Sequence, residues 1–389
     1  MKVTILNRLI KKYFIIAIII INCICLSAFA RIPQEEKKDK DSFDITIRMV
    51  GDVLLHDGVF KSCQNEEGEY DFFPLFKNTE NLVKTADIAI VNQEVIIAGK
   101  ELRVSGYPSF NAPFELADTL TRTGFDVICH GTNHALDRGK KGIINCLEYW
   151  NKHYPDVQIL GIHNNQESYD NIYIKEINGF KIAILNYTYG TNGIALPKDM
   201  PYAVSLLSEK KVLSDIEKAE EIADFTIVCP HWGIEYQLQP SKDQKSWALK
   251  MTEKGADLIL GTHPHVIEPI EEIIADNGNK SVCYYSLGNY INWTSGRGKS
   301  ISNRMIGGMS DTVLSINNGT ICNVSAKVIP LVSHVQHENE KVTTYLFYEY
   351  TEELATKNAI IEQTSDFSIE YCKTLIDSIW DEKYIKGDL

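Results

Sequence analysis

The sequence lacks an excess of positive charge, since 39 lysine and arginine residues stand against 52 acidic residues, for a formal net charge of −13 at pH 7. An acidic surface repels the nucleic-acid backbone, so we exclude nucleic acid as a partner bound through the general electrostatic field. No Cys-x-x-Cys spacing occurs among the nine cysteines, which excludes zinc-thiolate and dithiol redox motifs of that form. No period of 20 to 50 residues is visible either, which excludes a repeat array.

The composition is that of an ordinary globular protein. The chain has 389 residues, of which 44% are hydrophobic and 23% charged. That is enough for a sizeable core in one large domain or in two. Outside the first 30 positions the cysteines are odd in number and widely spread, which is not typical of a disulfide scaffold.

The first 30 residues differ from the rest. Four basic residues and no acidic ones occur there, with an apolar run at 14–21 and the small-x-small sequence Ala28-Phe29-Ala30. This pattern predicts a secretory signal peptide, with an uncleaved membrane anchor as the alternative. Its removal would take four positive charges away and change the net charge from −13 to −17. Residues 31–42 are predicted to be a charged linker, and the body of the protein is expected to be extracytoplasmic.

From residue 43 onward, strand-like and helix-like segments alternate, which predicts an α/β fold. We assign 43–335 to the main domain and 336–389 to a terminal strand and helix that pack on it. Helices are predicted at 75–84, 115–123, 140–153, 206–223, 243–254 and within 366–384. Strands are predicted at 45–50, 88–91, 127–129, 157–160, 172–177, 181–185, 225–229, 258–260, 282–287 and 342–350, with Asn178-Gly179 as a hairpin turn.

Polar side chains follow the ends of six of these strands, and open α/β sheets bind ligands at the carboxyl ends of their strands. Oxygen and imidazole donors without thiolates suit Mn, Fe, Zn or Mg, one or two ions per chain. The predicted metal ligands are Asp52, Glu94, Asn133, His231, His263 and His265. His134 and Asp137 are predicted to be catalytic, with His134 as proton donor, and the predicted substrate-binding residues are Asn92, Trp232, Glu235 and Asn289.

Each of these residues also has a purely structural interpretation. Asp52 after a strand can be a turn former, and Asn133 or Asn289 can cap a helix. Trp232 can be an ordinary core residue. The functional interpretation therefore depends on the clustering of the whole set.

Several segments resemble the CapA family of bacterial poly-γ-glutamate capsule biosynthesis proteins, which is related to calcineurin-like metallophosphoesterases. The resemblance covers residues 43–330. The segments are Gly51-Asp52 with His56, Ala86 to Glu94, Tyr107 to Pro113, Asn133-His-Ala-Leu-Asp137, His231-Trp-Gly-Ile-Glu-Tyr236, Gly261-Thr-His-Pro-His-Val266 and Tyr285-Ser-Leu-Gly-Asn289.

The resemblance implies a four-layer α/β/β/α sandwich of the metallophosphoesterase type, with the six ligands and His134 at the positions of metal ligands and acid histidine. The sequence departs from the phosphoesterase pattern at three points. The first Asp-x-His is replaced by Asp52 and the more distant His56, Glu94 stands where an aspartate bridges two metals, and no acid directly follows His134. The alternatives to a complete two-metal centre are therefore a site with one metal and a catalytically altered site.

Two functions follow from this resemblance. The first is an extracytoplasmic, metal-dependent hydrolase that acts on a phosphoester or other bond in an anionic capsule or envelope polymer. The second is a non-catalytic subunit that binds or exports the polymer for membrane synthase subunits. An acidic protein needs local basic residues to bind a polyanion, and the candidates are Arg103, Arg138, Arg297, Lys299 and Arg304. The glycine-rich segment 296–308 is expected to be a mobile substrate loop or a solvated surface loop.

Overall fold

The computed structural model describes residues 42–293 and 296–387, in which strands and helices alternate. The strands are β1 (Ser42–Val53), β2 (Ile88–Asn92), β3 (Val127–Cys129), β4 (Gln158–Leu160), β5 (Tyr173–Ile177), β6 (Phe180–Thr188), β7 (Phe225–His231), β8 (Leu258–Leu260), β9 (Ile270–Ile274), β10 (Lys280–Tyr284), β11 (Asn289–Ile291), β12 (Ile306–Asn317), β13 (Thr320–Val335) and β14 (Val342–Leu346). The helices are α1 (Asp57–Ser62), α2 (Phe73–Phe76), α3 (Glu80–Lys84), α4 (Glu115–Thr123), α5 (Gly139–His153), α6 (Gln166–Asp170), α7 (Glu209–Ile222), α8 (Lys242–Lys254), α9 (Glu352–Thr356) and α10 (Ile369–Ile379).

The strands form two sheets. The first has eight strands in the order β14-β13-β12-β1-β2-β3-β4, with β11 paired to β1, and the second has six in the order β5-β6-β7-β8-β10-β9. Strands β1 to β4 pair in parallel, as do β6, β7, β8 and β10. Parallel strands end at the same edge of their sheet, so the polar residues that follow them are brought together there.

The two faces of the second sheet belong to different layers, as the alternation along each strand shows. Ile184 and Ile227 join the main core with the first sheet, whereas Leu185 and Val228 pack in a second core with residues of α7 and α8. The thiols of Cys129 in β3 and Cys229 in β7 contact each other between the two sheets. Helices α4 and α5 pack with the first sheet, so the predicted four-layer α/β/β/α sandwich is confirmed.

After β10 the chain passes from the second sheet to the first. The prediction of one continuous strand at 282–287 does not include this change of sheet. β10 ends at Tyr284 in the second sheet, and the next strand, β11, pairs with β1 of the first sheet. The register of that pair puts Asn289 beside Asp52. The connection from β10 to β11 therefore links the two sheets at the edge where the predicted site residues meet.

The predicted helix at 75–84 is wrong as one element, because it is divided into α2 and α3. Thr79 lies between the two, and its hydroxyl donates to the Phe76 carbonyl and bonds to the Tyr290 hydroxyl. A threonine that satisfies a local carbonyl in this way competes with the helical ladder. The hairpin prediction is confirmed, since β5 and β6 pair across Asn178-Gly179, both of which have positive φ.

The long hairpin of β12 and β13 was not predicted from the sequence. Residues 301–305 form a 3-10 turn, and Gly307 and Gly308 lie buried in β12, so the prediction of a mobile or surface loop is wrong for residues 301–308. A Cβ on Gly307 would lie 2.0 Å from the carbonyl oxygen of Asn289. The glycine therefore allows close backbone approach and is not a sign of a flexible loop.

The terminal segment contributes β14, which pairs with β13, and α10, whose Cys372 and Ile376 are buried in the main core. Among the described residues, no helix has the length and apolar character needed to cross a bilayer. The predicted signal or anchor at 1–30 lies outside the described residues, as does the predicted linker at 31–42 except for Ser42.

Candidate metal centre

The carboxyl ends of β1, β2 and β7 deliver three of the predicted residues to one point. In the register of the first sheet Asp52 stands beside Asn92, and His231 is the last residue of β7 in the second sheet. The turn after β8 adds His263 and His265, which have φ values of +98° and +59°. Positive φ is uncommon for residues other than glycine and occurs often at functional sites.

Glu94 lies at the centre of this cluster. Its side chain is fully buried, and neither carboxylate oxygen has a hydrogen-bond partner in the described structure. Its Oε1 lies 3.6 Å from Nε2 of His265, 3.9 Å from Nε2 of His231 and 4.0 Å from Nε2 of His134. Three imidazole nitrogens thus surround one carboxylate oxygen at distances too long for hydrogen bonds.

These distances suit ligands of a shared cation. With metal–ligand bonds of about 2.1 Å, two ligands of one ion are separated by roughly 3 Å when the ligand–metal–ligand angle is a right angle and by roughly 4 Å at wide angles. The Oδ1 of Asn133 and Nε2 of His231 are 3.0 Å apart. Three groups of possible ligands have their donor atoms within 4.8 Å of one another: Glu94, His231 and His263; Glu235, His263 and His265; and Asp52, Glu94 and His265.

The electrostatics of the buried groups also suit a cation. Burial raises the pKa of Glu94 well above its usual range, although the charge of His265 opposes that shift. Burial, together with neighbouring imidazoles, lowers the pKa of His231 and His263 well below 6.5. Neutral imidazoles are the form that binds metals, and a buried carboxylate without donors needs a positive partner. The residues present therefore fit a divalent metal ion.

Asp52 orients His265 within this cluster. Its Oδ2 lies 3.0 Å from Nδ1 of His265, and its Oδ1 accepts from the Asn92 amide at 2.9 Å and from the His263 backbone at 3.3 Å. Burial tends to lower the pKa of His265, but the Glu94 and Asp52 carboxylates outweigh that effect and raise it to about 9. With Nδ1 held by Asp52, Nε2 of His265 is aimed at Glu94.

His134 and Asp137 form a pair at the side of the cluster. The Nδ1 of His134 lies 2.7 Å from Oδ2 of Asp137, which also accepts from the Phe110 backbone at 2.6 Å. The ring of Phe110 contacts the imidazole edge-on at 4.6 Å between centroids. Because Nδ1 of His134 is bonded to Asp137, Nε2 faces Glu94. The Asp137 carboxylate therefore holds the imidazole ring in one orientation.

The predicted substrate-binding residues occupy different positions. Asn92 lies in the cluster, 3.4 Å from Nδ1 of His231, and Asn289 is buried with its amide donating to the carbonyls of His265 and Arg304. Glu235 is exposed beside His263 and His265.

Trp232 does not face the site, which corrects its assignment to substrate binding. Its indole is buried in the second core, and Nε1 donates to the Tyr285 carbonyl at 2.9 Å. Adjacent residues of an extended chain point to opposite faces. Because His231 faces the cluster, Trp232 must face away from it.

Sequence reasoning missed the residues that follow β6. Tyr189 stacks near His263, with ring centroids 4.7 Å apart, and Asn192 lies 3.4 Å from both the Asn133 amide and Nδ1 of His134. β6 was interpreted as half of a hairpin, but it also pairs in parallel with β7. Its carboxyl end therefore reaches the same edge, and the polar residues after it were the available signal.

His56 does not complete a second metal position. It belongs to none of the possible ligand groups among the described residues. Its ring packs near Phe110 and Tyr107, at 5.4 and 6.4 Å. Burial, with the neighbouring His265 charge, lowers its pKa to about 4.

A family model described as "Bacterial capsule synthesis protein PGA_cap" matches residues 46–294. The chain belongs to this family. The match begins within β1, extends through β11 and includes every residue of the cluster described above.

Two curated proteins of this kind are similar to the chain. The capsule biosynthesis protein CapA of Bacillus anthracis is 29% identical over 269 residues, which cover 66% of this chain and 62% of that protein, less than two thirds of its length. The PGA biosynthesis protein CapA of Bacillus subtilis (strain 168) is 28% identical over 305 residues, covering 75% and 76%. Among solved structures, the calcineurin-like phosphoesterase YfkN of Bacillus subtilis is 14% identical, with a TM-score of 0.43, over 87% of this chain and 96% of that one.

Proposed function

We propose that this protein is a metal-dependent hydrolase that acts on an anionic polymer of the capsule or cell envelope, outside the cytoplasm. The observation that carries the proposal is the environment of Glu94, a buried carboxylate without hydrogen-bond donors and with three imidazole nitrogens 3.6–4.0 Å from one oxygen. Membership in a capsule synthesis family supports the choice of polymer.

The residues that would hold the ion are Glu94, His231, His263 and His265, with Asn133 beside His231 and Asp52 behind His265. A divalent ion bound there would supply Lewis-acid chemistry, lowering the pKa of a water molecule and polarising an oxygen of the substrate. Asp52 keeps His265 oriented, and the burial of Glu94 and His231 limits access of bulk water.

His134 is positioned to move a proton. Asp137 holds its Nδ1 at 2.7 Å, which fixes the tautomer and the orientation of the ring. The free Nε2 points toward the cluster, 4.0 Å from Glu94. His134 can therefore protonate the leaving oxygen or nitrogen when a phosphoester or amide bond breaks.

Metal content measured by elemental analysis tests the centre. The purified protein is loaded with manganese, iron or zinc, alongside Glu94→Ala and His265→Ala, and we expect the bound metal to fall in both variants. The loaded protein is then screened against phosphodiesters and γ-glutamyl oligomers, together with His134→Ala. Loss of hydrolysis in His134→Ala with metal still bound would support the enzyme, and an absence of metal from the wild-type protein would refute it.

His56 belongs to none of the possible ligand groups among the described residues, so the centre lacks a histidine that a complete two-metal site would need. This position supports a second function. In that case the protein is a polymer-binding or export subunit, and membrane synthase subunits perform the chemistry. Binding of γ-glutamate oligomers that is equal in wild type and His134→Ala, with no hydrolysis by either protein, would favour this function.

We also propose that the protein lies outside the cytoplasm and that membrane synthase subunits are its partners. Residues 1–30 carry the composition of a signal peptide or anchor. Protease treatment of intact cells would degrade an extracytoplasmic protein, and affinity purification from membranes would recover synthase subunits. Full protection from protease in intact but not in lysed cells would contradict the location.

A further inference from the structure

Arg304 presents an unpaired guanidinium at the edge of the cluster. Its guanidinium carbon lies 3.5 Å from the centroid of the Tyr236 ring, so the two groups stack. Within residues 42–293 and 296–387, the Arg304 side chain makes no hydrogen bond or ion pair. Stacking on an aromatic face holds the group in place and leaves its N–H donors in the plane free.

Both partners of this stack are fastened to the turn that carries His263 and His265. The amide of Asn289 donates to the carbonyl of His265 at 3.0 Å and to that of Arg304 at 2.9 Å. The backbone N–H of Tyr236 donates to the Pro264 carbonyl at 2.7 Å. Because one turn carries the candidate ligands and anchors the stack, the guanidinium has a defined position relative to the metal centre.

The stack places Arg304 beside the centre. The Tyr236 ring that carries the guanidinium lies 6.0 Å from the ring of His265, measured between centroids. Glu235 interacts with Tyr236 but makes no ion pair of 4.0 Å or less with Arg304. The guanidinium is half-buried, so its field is only partly screened by solvent.

Two of the other basic residues considered for anion binding make hydrogen bonds to the protein itself. The Arg138 guanidinium donates to the Ser105 and Ser109 hydroxyls and to the Ser109 carbonyl. Arg297 donates to the Glu362 carbonyl at 3.3 Å. The Arg138 guanidinium is thus held by the protein and that of Arg297 is turned toward Glu362, whereas the N–H donors of Arg304 remain available for a ligand.

We propose that Arg304, held flat on Tyr236, binds an oxyanion of the substrate next to the bond placed at the metal centre. The proposal rests on the function proposed above and names its substrate class: a chain bearing carboxylate or phosphate groups. A planar guanidinium binds either oxyanion through two parallel hydrogen bonds. It supplies the local positive charge that an acidic protein needs to bind an anionic polymer.

Binding to the metal-loaded full-length protein tests this role, with inorganic phosphate and a γ-glutamate oligomer as separate calorimetric probes. We expect Arg304→Gln to weaken binding of at least one probe by about tenfold to a hundredfold, the effect of losing charge-assisted hydrogen bonds. Arg304→Lys should be intermediate. Arg297→Gln, on the same segment, is the matched control and should bind like the wild type, with metal content unchanged in every variant.

Chemical rescue separates binding from a structural role. Low, non-denaturing concentrations of guanidinium should restore anion affinity to Arg304→Ala, which a merely misfolded variant would not show. Tyr236→Phe keeps the stacking ring and should retain affinity, whereas Tyr236→Ala should lose part of it. An effect on phosphate alone identifies a phosphate group as the ligand, and an effect on the oligomer alone identifies a carboxylate.

Two results would overturn the role of Arg304. The first is wild-type affinity for both probes in Arg304→Gln. The second is an equal loss of affinity in Arg297→Gln, which would show that the anion responds only to the overall electrostatic field of the protein. If the wild type hydrolyses no substrate but Arg304→Gln still loses anion binding, the anion site stands and the hydrolase function fails. If the wild type hydrolyses a phosphodiester and Arg304→Gln has an unchanged KM, the anion site fails and the hydrolase stands.

Discussion

Substituting Glu94 by glutamine separates the two roles that the structure gives this carboxylate. In the metal-free protein Glu94 is a buried group whose two oxygens lack donors. In the proposed metal-bound protein it would be a ligand at the centre of the cluster. Glu94→Gln keeps the shape of the side chain, removes a charge that is costly to bury and replaces one acceptor that lacks a donor by an N–H group. We therefore expect the variant to be more stable without metal and insensitive to metal.

The size of both effects follows from the structure. An unsatisfied buried acceptor costs about 1–3 kcal/mol, so the metal-free variant should gain an amount of that order in free energy of unfolding. In a chain of this size about 1 kcal/mol shifts Tm by roughly 2–4 °C. A metal present at about one hundred times its Kd should stabilise the wild type by about 2.7 kcal/mol and the variant by close to none.

Thermal unfolding with and without manganese or zinc measures both effects. Glu268→Gln is a matched control, because Glu268 is also fully buried, with one oxygen lacking a donor, but it lies outside the possible ligand groups. It should raise Tm without metal and keep the full metal-induced shift. A Glu94→Gln protein that is less stable than the metal-free wild type, or that keeps the metal-induced shift, would refute the assignment of Glu94 as a ligand.

Three further predictions concern other parts of the molecule. Asp137→Asn should lower kcat by about a hundredfold or more at unchanged metal content, because His134 loses the carboxylate that fixes its tautomer; unchanged kcat in a steady-state assay would contradict this. Burial raises the pKa of Glu268 from 4.5 to about 8, so the native state keeps a proton that the unfolded chain releases. The free energy of unfolding should then fall as pH rises from about 4.5 to about 8, and the advantage of Glu268→Gln, measured by urea unfolding, should grow by a few kcal/mol over that window. Gly261→Ala would place a Cβ 2.1 Å from the Tyr285 carbonyl. It should destabilise the fold by about 3 kcal/mol in the same assay, and a stable variant would show that the backbone can move.

The sequence alone was sufficient to predict most of the elements and the cluster. Helix α4 and strands β3 and β8 have the predicted bounds, because short apolar runs and clear helical periodicity are local signals. The convergence of Glu94, His231 and His265 was also predictable. Parallel strands share an edge, so polar residues at their carboxyl ends must meet.

Other features depend on contacts between distant segments. The change of sheet after β10 and the long β12–β13 hairpin arise from pairing partners that no local pattern specifies. The pairing of Asp137 with His134, and of Arg304 with Tyr236, depends on how turns close around the cluster. The position of Trp232 could have been predicted from the sequence, although it was not. Side chains alternate along β7, so a His231 that faces the site places Trp232 in the core.

The amino-acid sequence by itself determined the α/β class, most strand ends and the donor chemistry of the candidate centre, because hydrophobic periodicity and side-chain type are properties of short segments. Only the tertiary structure decided which donors surround an oxygen of Glu94, which carboxylates orient His134 and His265 and which arginine stacks beside the cluster. Those relations are set by sheet register and turn closure between residues up to 213 positions apart, as for Asp52 and His265.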